Sequence, residues 1–584
     1  MSVQQLCHTL ILCALICVGA DSILSADQYI MPTPQKATYQ NAFLPLENAV
    51  IVTGNSPSKQ VKFGIKQLNE RIVELGGKPI RTIKCSEYLR NPVKPPVTIM
   101  VGTSKDTFLS RDVAERVTST EWKTQEGYTI STERTSTGDI IACRGYDDRG
   151  AYYALQSLIQ LISARKDAAG RVSIWVRQTD IEDWPCFKLR ILPYAAWAGP
   201  EYLEWLAQYK LNVGGIHYPV GKEWRKLPED YLKKSDAACR FARETEAVDV
   251  IQYLNPYVTY PGSSPAINLL NQADIDELVA SFDRFLSSGG TMISLCTDDF
   301  FRMTDEEKKR FETHSEAQAF LVNQVYAPLK KKHPRITMIF CPQWYAGVLE
   351  DRERHVEMSE QTKNFSKDLG RHYYYLCSHI PKEILVFWTG ARVRSHEITV
   401  EQLDSFTKIA GRKPFYWDNT FYDFHPTSFI ENLFDPYPFT NKYPKDLYKY
   451  LDRQGVHLNS GYNEVSKVGF LTASDYFWNP AAFDPEKSLK YALDRVAGPE
   501  AAPLLIEFRD TAVELYKPIR AKERFNEPAS TSEVRAKFEH LKQLMARIRR
   551  ICPNKPLVDE LQSHWIGDTE RTVEKLFPEA PPEQ

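Results

Sequence analysis

The stretch "TMISLCTDDF", residues 291–300, is an apolar run of strand length that stops on two adjacent carboxylates, Asp298 and Asp299. Like charges so close raise each other's pKa unless their surroundings separate their tasks. The same dipeptide stands at Asp147 and Asp148, so the pair alone does not define a site. Its meaning depends on the elements around it.

Working outward, similar runs recur on both sides. "KLRILPYAA" (188–196), "LNVGGIHY" (211–218) and "VDVIQYLNPY" (248–257) precede the pair. "ITMIFCPQWY" (336–345), "EILVFWTG" (383–390), "KPFYWDN" (413–419) and "GVHLNSG" (455–461) follow it. Between them lie helix-patterned segments such as "DIDELVASFDRFLSSG", "EAQAFLVNQVYAPLKKK" and "TVEQLDSFTKIAG". Eight strand-then-helix units predict an α/β fold built on a (β/α)8 TIM barrel over 185–480. A doubly wound open sheet alternates in the same way but usually needs fewer strands.

Barrel enzymes carry their chemistry at the C-terminal ends of the strands. Asp298 and Asp299 end the fourth strand. Tyr345 follows the fifth, Trp417, Asp418 and Asn419 the seventh, and Asn459 the eighth. This convergence makes the acid pair a candidate catalytic site.

Residues 27–180 read as a smaller α+β unit. "AVIVTG" and "PVTIMVG" are expected strands, "KQVKFGIKQLNERIVELGG" an amphipathic helix, and "EGYTISTERTSTGDIIACRG" a hairpin. "GAYYALQSLIQLISAR" (150–165) reads as a helix throughout. Pro185 disfavours helix at Trp184, so no helix should cross the joint "DIEDWPCFKLR". Residues 485–584, with "EVRAKFEHLKQLMARIRRI", form an expected helical C-terminal region.

The chain of 584 residues is 43% hydrophobic and 12% aromatic, with a formal net charge of -2, which describes a globular protein. The near-neutral balance argues against nucleic acid or an anionic membrane as main partner. "LCHTLILCALICVGA", residues 6–20, reads as the apolar part of a secretory signal peptide (1–20) and is too short to span a bilayer comfortably. Secretion or a periplasmic location is therefore expected, with no integral membrane segment after the leader is removed. Three of eleven cysteines lie in this leader; the other eight occur without CxxC pairs, leaving room for one or two disulfides. No HxH or HExxH cluster, phosphate loop or GxSxG elbow is present, so neither metal nor organic cofactor is expected.

"VFWTGARVRSHEITVEQLDSFTKIAGRKPFYWDN" (386–419) resembles the core of glycoside hydrolase family 84. "FCPQWYAG" (340–347) resembles that family's strand-five tyrosine motif. "GVHLNSGYNEVSKVGFLTASDYFWNP" (455–480) is similar to its strand-eight segment, and "GYDDRGAYYALQSLIQLI" (145–162) to its preceding small domain. The resemblance implies a β-N-acetylglucosaminidase acting on glycans or glycoproteins. By that resemblance Asp298 would accept the substrate's acetamide N–H, and Asp299 would serve as acid and then base. Tyr345, Trp417, Asn419, Asp423 and Asn459 would bind the sugar. Asp423 lies four residues after Asn419, whereas the family's acid lies five after. "ILPYAAWAGP" and "IHYPVGKEWR" replace the family's Gly-Phe-Tyr-Gly and Ala-Pro-Lys-Asp-Asp segments, leaving Lys222 as a displaced substitute.

Adjacent acids suit this mechanism better than an ordinary retaining one, which needs two carboxyls about 5 Å apart across the sugar. Neighbours at one strand end cannot easily flank an anomeric carbon, whereas they can serve a substrate whose own 2-acetamido oxygen attacks. The alternatives are a family 20-like β-hexosaminidase, whose pair is Asp-Glu, and a sugar-binding relative without turnover.

Overall fold

The computed structural model describes residues 29–109, 119–216, 224–257, 266–298, 301–347, 369–395, 397–419, 443–459 and 463–578. The chain divides into two compact units, residues 1–185 and 186–584.

The first unit is built on a mixed sheet of eight strands. These are β1 (Lys36–Pro45), β2 (Val50–Thr53), β3 (Arg81–Lys84), β4 (Val97–Thr103), β5 (Tyr128–Thr135), β6 (Gly138–Gly145), β7 (Ile162–Lys166) and β8 (Val172–Asp183). Their order is β1-β8-β5-β6-β4-β2-β3, with β7 paired to β8. The hairpin expected over 126–145 is the antiparallel pair β5–β6. Helices Lys59–Glu74 and Asp148–Gln160 pack together, with Phe63 and Tyr152 stacked at 5.9 Å between ring centroids. The helix expected to continue through Arg165 ends at Gln160, because Ile162–Lys166 pairs antiparallel with β8. Sheet hydrogen bonding overrides the helical periodicity there. β8 runs to Asp183, and no helix crosses the joint that follows.

The second unit contains the closed barrel. Its strands are β9 (Leu189–Leu192), β10 (Val213–Ile216), β11 (Asp249–Leu254), β12 (Met292–Cys296), β13 (Thr337–Cys341), β14 (Leu385–Trp388), β15 (Phe415–Asp418) and β16 (Gly455–Leu458). Every neighbouring pair is parallel, and β16 closes on β9 through Gly455↔Leu189 and His457↔Ile191. Such strands are covered on both faces, which is why they read as continuous apolar runs rather than alternating ones. Ile251, Met292, Ile339, Phe387 and Trp417 belong to one buried cluster inside the barrel. Gly215 in β10 is required by close approach: a Cβ there would meet the Pro193 carbonyl oxygen at 2.3 Å.

Outer helices follow the strands with conventional signals. Asn271 caps Gln272–Ser288 by accepting from the Ala273 N–H. Thr399 and Gln402 form a reciprocal capping box at the start of Val400–Ala410, and Gly411 at φ 66° ends that helix. The C-terminal helices include Pro485–Ala497, Ala502–Phe525 and Thr531–Ile551, which lie in the same compact unit as the barrel. None of the eight cysteines from Cys85 onward is in a disulfide, so the one or two bridges allowed by their number are not formed among the described residues. Among the described residues, no helix is long and apolar enough to cross a membrane.

Candidate active site

β12 delivers Asp298 to the C-terminal mouth of the barrel. Thr297 fixes the exit, donating both its N–H and its hydroxyl to the Cys341 carbonyl on β13 at 2.9 Å. Asn255, just past β11, then holds Asp298 from the other side. Its Nδ2 donates to the Asp298 carbonyl at 3.1 Å and lies 3.4 Å from the carboxylate Oδ1. Downstream, Gln343 donates its amide to the Phe301 carbonyl at 3.3 Å. The main chain is thus anchored on both sides of Asp299, which itself lies outside the described residues, as do Asp423, Lys222 and His217.

The second Asp-Asp pair has a different task. Asp147 accepts from the Gly150 N–H at 2.8 Å and the Glu126 N–H at 3.0 Å, capping the helix that begins at Asp148. Burial raises the Asp147 pKa. Identical dipeptides are therefore separated by their elements: one caps a helix, the other ends a barrel strand.

Tyr345 is half-buried and packs against the barrel's internal cluster. The loop carrying it is stitched to the loop after β14. The Tyr345 carbonyl accepts from the Thr389 N–H at 2.9 Å, and the Gly347 N–H donates to the Gly390 carbonyl at 2.8 Å. Trp388 is fully buried and donates its indole N–H to the Gly347 carbonyl at 3.0 Å. Gly390, at φ +93°, must be glycine, since a Cβ would sit 2.3 Å from the Ser395 hydroxyl. The "FWTG" motif thus braces the segment that presents Tyr345.

Beyond β14, at the end of the adjacent strand β15, Asn419 is the hub. Its Oδ1 accepts from Trp417 Nε1 and from Asn459 Nδ2, each at 2.8 Å, while its own Nδ2 donates to the Val393 carbonyl at 2.7 Å. With two donors on that oxygen, Asn419 has at most one N–H left to offer a ligand. Asn459 keeps a buried side-chain oxygen with no hydrogen-bond partner among the described residues. That acceptor is available to a hydroxyl. Trp417 lies against Phe387 and His457 at centroid distances of 4.4 and 4.2 Å, which fixes its ring plane. Asp418 points elsewhere: it is buried and accepts from the Tyr443 hydroxyl at 3.2 Å, supporting the barrel wall.

The topology therefore brings Asp298, Tyr345, Trp417, Asn419 and Asn459 to one end of the barrel. Asn255 and His457 were not singled out from the sequence. A polar residue at a strand exit, in "YLNPY", was the available signal for Asn255. His457 is wholly buried inside the barrel among aromatic rings, a placement no spacing reveals. No cluster of His, Cys, Asp or Glu suited to a metal occurs among the described residues.

Residues 221–510 match the family model described as beta-N-acetylglucosaminidase, and residues 27–184 match glycosyl hydrolase family 20, domain 2. Protein O-GlcNAcase of Mus musculus is 29% identical over 164 residues, which is 28% of this chain and 16% of that relative. The chain thus matches a small fraction of the curated relative's length. Among solved structures, CpGH84B superposes with a TM-score of 0.65 at 19% identity, covering 94% of this chain and 92% of its own. CpGH84D also gives 0.65, at 17% identity over 94% and 88% of the two chains. At those identities the superpositions speak to fold. The family model supplies the rest: over residues 221–510 it spans the acid pair and every other strand-end residue assembled above, and that domain belongs to glycoside hydrolase family 84.

Proposed function

We propose that this chain hydrolyses terminal β-linked N-acetylglucosamine from glycans or glycoproteins, with retention and by substrate assistance. The observation that carries the reading is Asp298 fixed at the barrel mouth with a second acid as its immediate neighbour in sequence. The substrate's acetamide oxygen attacks C1 while Asp299 donates its proton to the departing glycosidic oxygen. An oxazoline forms, and Asp298 accepts the acetamide N–H, stabilising the charge that develops on that group. Asp299, now a carboxylate, takes a proton from water, which attacks C1 and reopens the ring. Two inversions give net retention.

Tyr345 would donate its hydroxyl to the oxazoline oxygen, and Trp417 would wall the acetyl methyl. Asn459 would bond a ring hydroxyl through its unpartnered oxygen, with Asp423 binding distal hydroxyls. The leader-like stretch 6–20 favours action outside the cytoplasm. The family 20 alternative draws on the match over 27–184. Its Asp-Glu pair, however, has no counterpart where this barrel carries Asp298 and Asp299.

The test is release of 4-nitrophenol from its N-acetyl-β-glucosaminide and from the plain β-glucoside. Turnover confined to the N-acetyl compound supports the reading, as does loss of activity in Asp299→Ala that an activated leaving group partly restores. Equal turnover of both sugars overturns substrate assistance. GlcNAc binding without turnover favours the sugar-binding alternative.

A further inference from the structure

We propose that Asn255 is a positioning residue for Asp298, an inference that rests on the function proposed above. Asn255 follows β11 and is 2% exposed, so its amide is shielded from water. Its orientation is fixed from behind. Oδ1 accepts the Tyr257 backbone N–H at 3.0 Å, which forces Nδ2 to face the neighbouring strand exit. There it donates to the Asp298 carbonyl at 3.1 Å, within reach of Oδ1 at 3.4 Å. One amide therefore grips both the backbone and the side chain of the same acid.

The anchor behind that amide is itself rigid. Tyr257 is 2% exposed, and its ring packs on Phe301 at 4.7 Å between centroids. Phe301 is fully buried and lies three residues past Asp298, so the grip closes across the acid-bearing turn. An acid that must meet an acetamide N–H needs a fixed carboxylate, because misplacement by about 1 Å can cost on the order of 100-fold in rate. Asn255→Ala removes the donor without altering any side chain proposed to touch the sugar.

Because Asp298's contact strengthens only as the oxazoline forms, losing its positioner should act on kcat rather than on KM. Asn255→Ala is expected to lower kcat by roughly 10- to 100-fold with KM changed less than about threefold. In an Asp298→Asn background the same substitution should cost less than about threefold, since the acid it positions is already gone. Thermal unfolding of each variant separates this from general destabilisation. Independent, multiplying losses in the two backgrounds, or a change confined to KM, would overturn the proposal. Should the wild-type protein turn over neither sugar, the function proposed above fails. The same two-by-two comparison is then made on the calorimetric Kd for GlcNAc, where additive effects again overturn the role of Asn255 and coupled effects sustain it.

Discussion

Trp388 donates its indole N–H to the Gly347 carbonyl at 3.0 Å, tying the end of β14 to the loop that carries Tyr345. The bond is buried, so removing the donor leaves a carbonyl without a partner and opens space beside Phe406, whose ring lies 5.4 Å from that of Trp388. Trp388→Phe is expected to lower unfolding free energy by about 1–3 kcal/mol. It should also reduce kcat by roughly tenfold, as the Tyr345 loop loosens. Urea unfolding and steady-state kinetics check both, with Tyr345→Phe as reference. An unchanged kcat would separate the brace from catalysis.

Asn419 offers a second coupling. Trp417 is 7% exposed, and Asn419 Oδ1 is the acceptor for its indole N–H. Asn419→Ala should therefore cost about 1–3 kcal/mol in unfolding experiments, part of it from stranding that N–H. In a Trp417→Phe background no indole N–H is stranded, and the same change should cost measurably less. Equal costs in both backgrounds would show that the Trp417 bond contributes nothing.

These two networks explain what was legible in the sequence. The eight barrel strands announce themselves because each is buried on both faces and so must be apolar along its length. The strand-end positions of Asp298, Tyr345, Trp417, Asn419 and Asn459 follow from that count. Hydrogen bonds between loops do not. Trp388 meets Gly347 across 41 residues of sequence, and Asn255 meets Asp298 across 43. Nothing local marks either pairing. Residues 161–165 fail for a related reason, since "LISAR" continues a helical pattern until Ile162 finds Val176 on β8. Periodicity reports which face is apolar, and a sheet edge can claim the same face.

His372 predicts behaviour in acid. It is 3% exposed, packs on Trp344 at 4.7 Å between ring centroids, and neither ring nitrogen has a partner among the described residues. Burial, with a smaller push from His314, lowers its pKa to about 3. A histidine free in the unfolded chain titrates near 6.5, so between about pH 6.5 and 3 the unfolded state binds the extra proton. The contribution is fully present above pH 6.5 and is lost as pH falls through that window. His372→Phe should therefore retain more of its neutral-pH stability at pH 4.5 than the wild type does, read by thermal unfolding. Identical pH dependence in the two proteins would contradict the assignment.

Glu560 predicts the opposite slope, from the C-terminal helices. Its carboxylate accepts from the N–H groups of Glu464 and Val465, at 2.8 and 3.3 Å, at the start of the helix Glu464–Trp478 that follows β16. Burial, reinforced by the neighbouring Glu464, raises its pKa to about 7 although the two N–H donors and Lys467 pull it down. A glutamate in the unfolded chain titrates near 4.3, so between that value and about 7 the folded state holds the extra proton. The contribution is fully present below the unfolded value and is lost as pH rises through 7. Glu560→Gln keeps a carbonyl oxygen for the two N–H groups and removes the titration. Relative to wild type, it should gain stability as pH rises from 5 to 8, on the order of 1–2 kcal/mol after solvent screening is allowed for. Because His372 drives stability upward over pH 5 to 6.5 while Glu560 drives it downward, the wild-type profile there is a difference of two slopes. Each variant exposes the other's. A Glu560→Gln protein whose stability tracks the wild type from pH 5 to 8 would show that this carboxyl is ionised throughout.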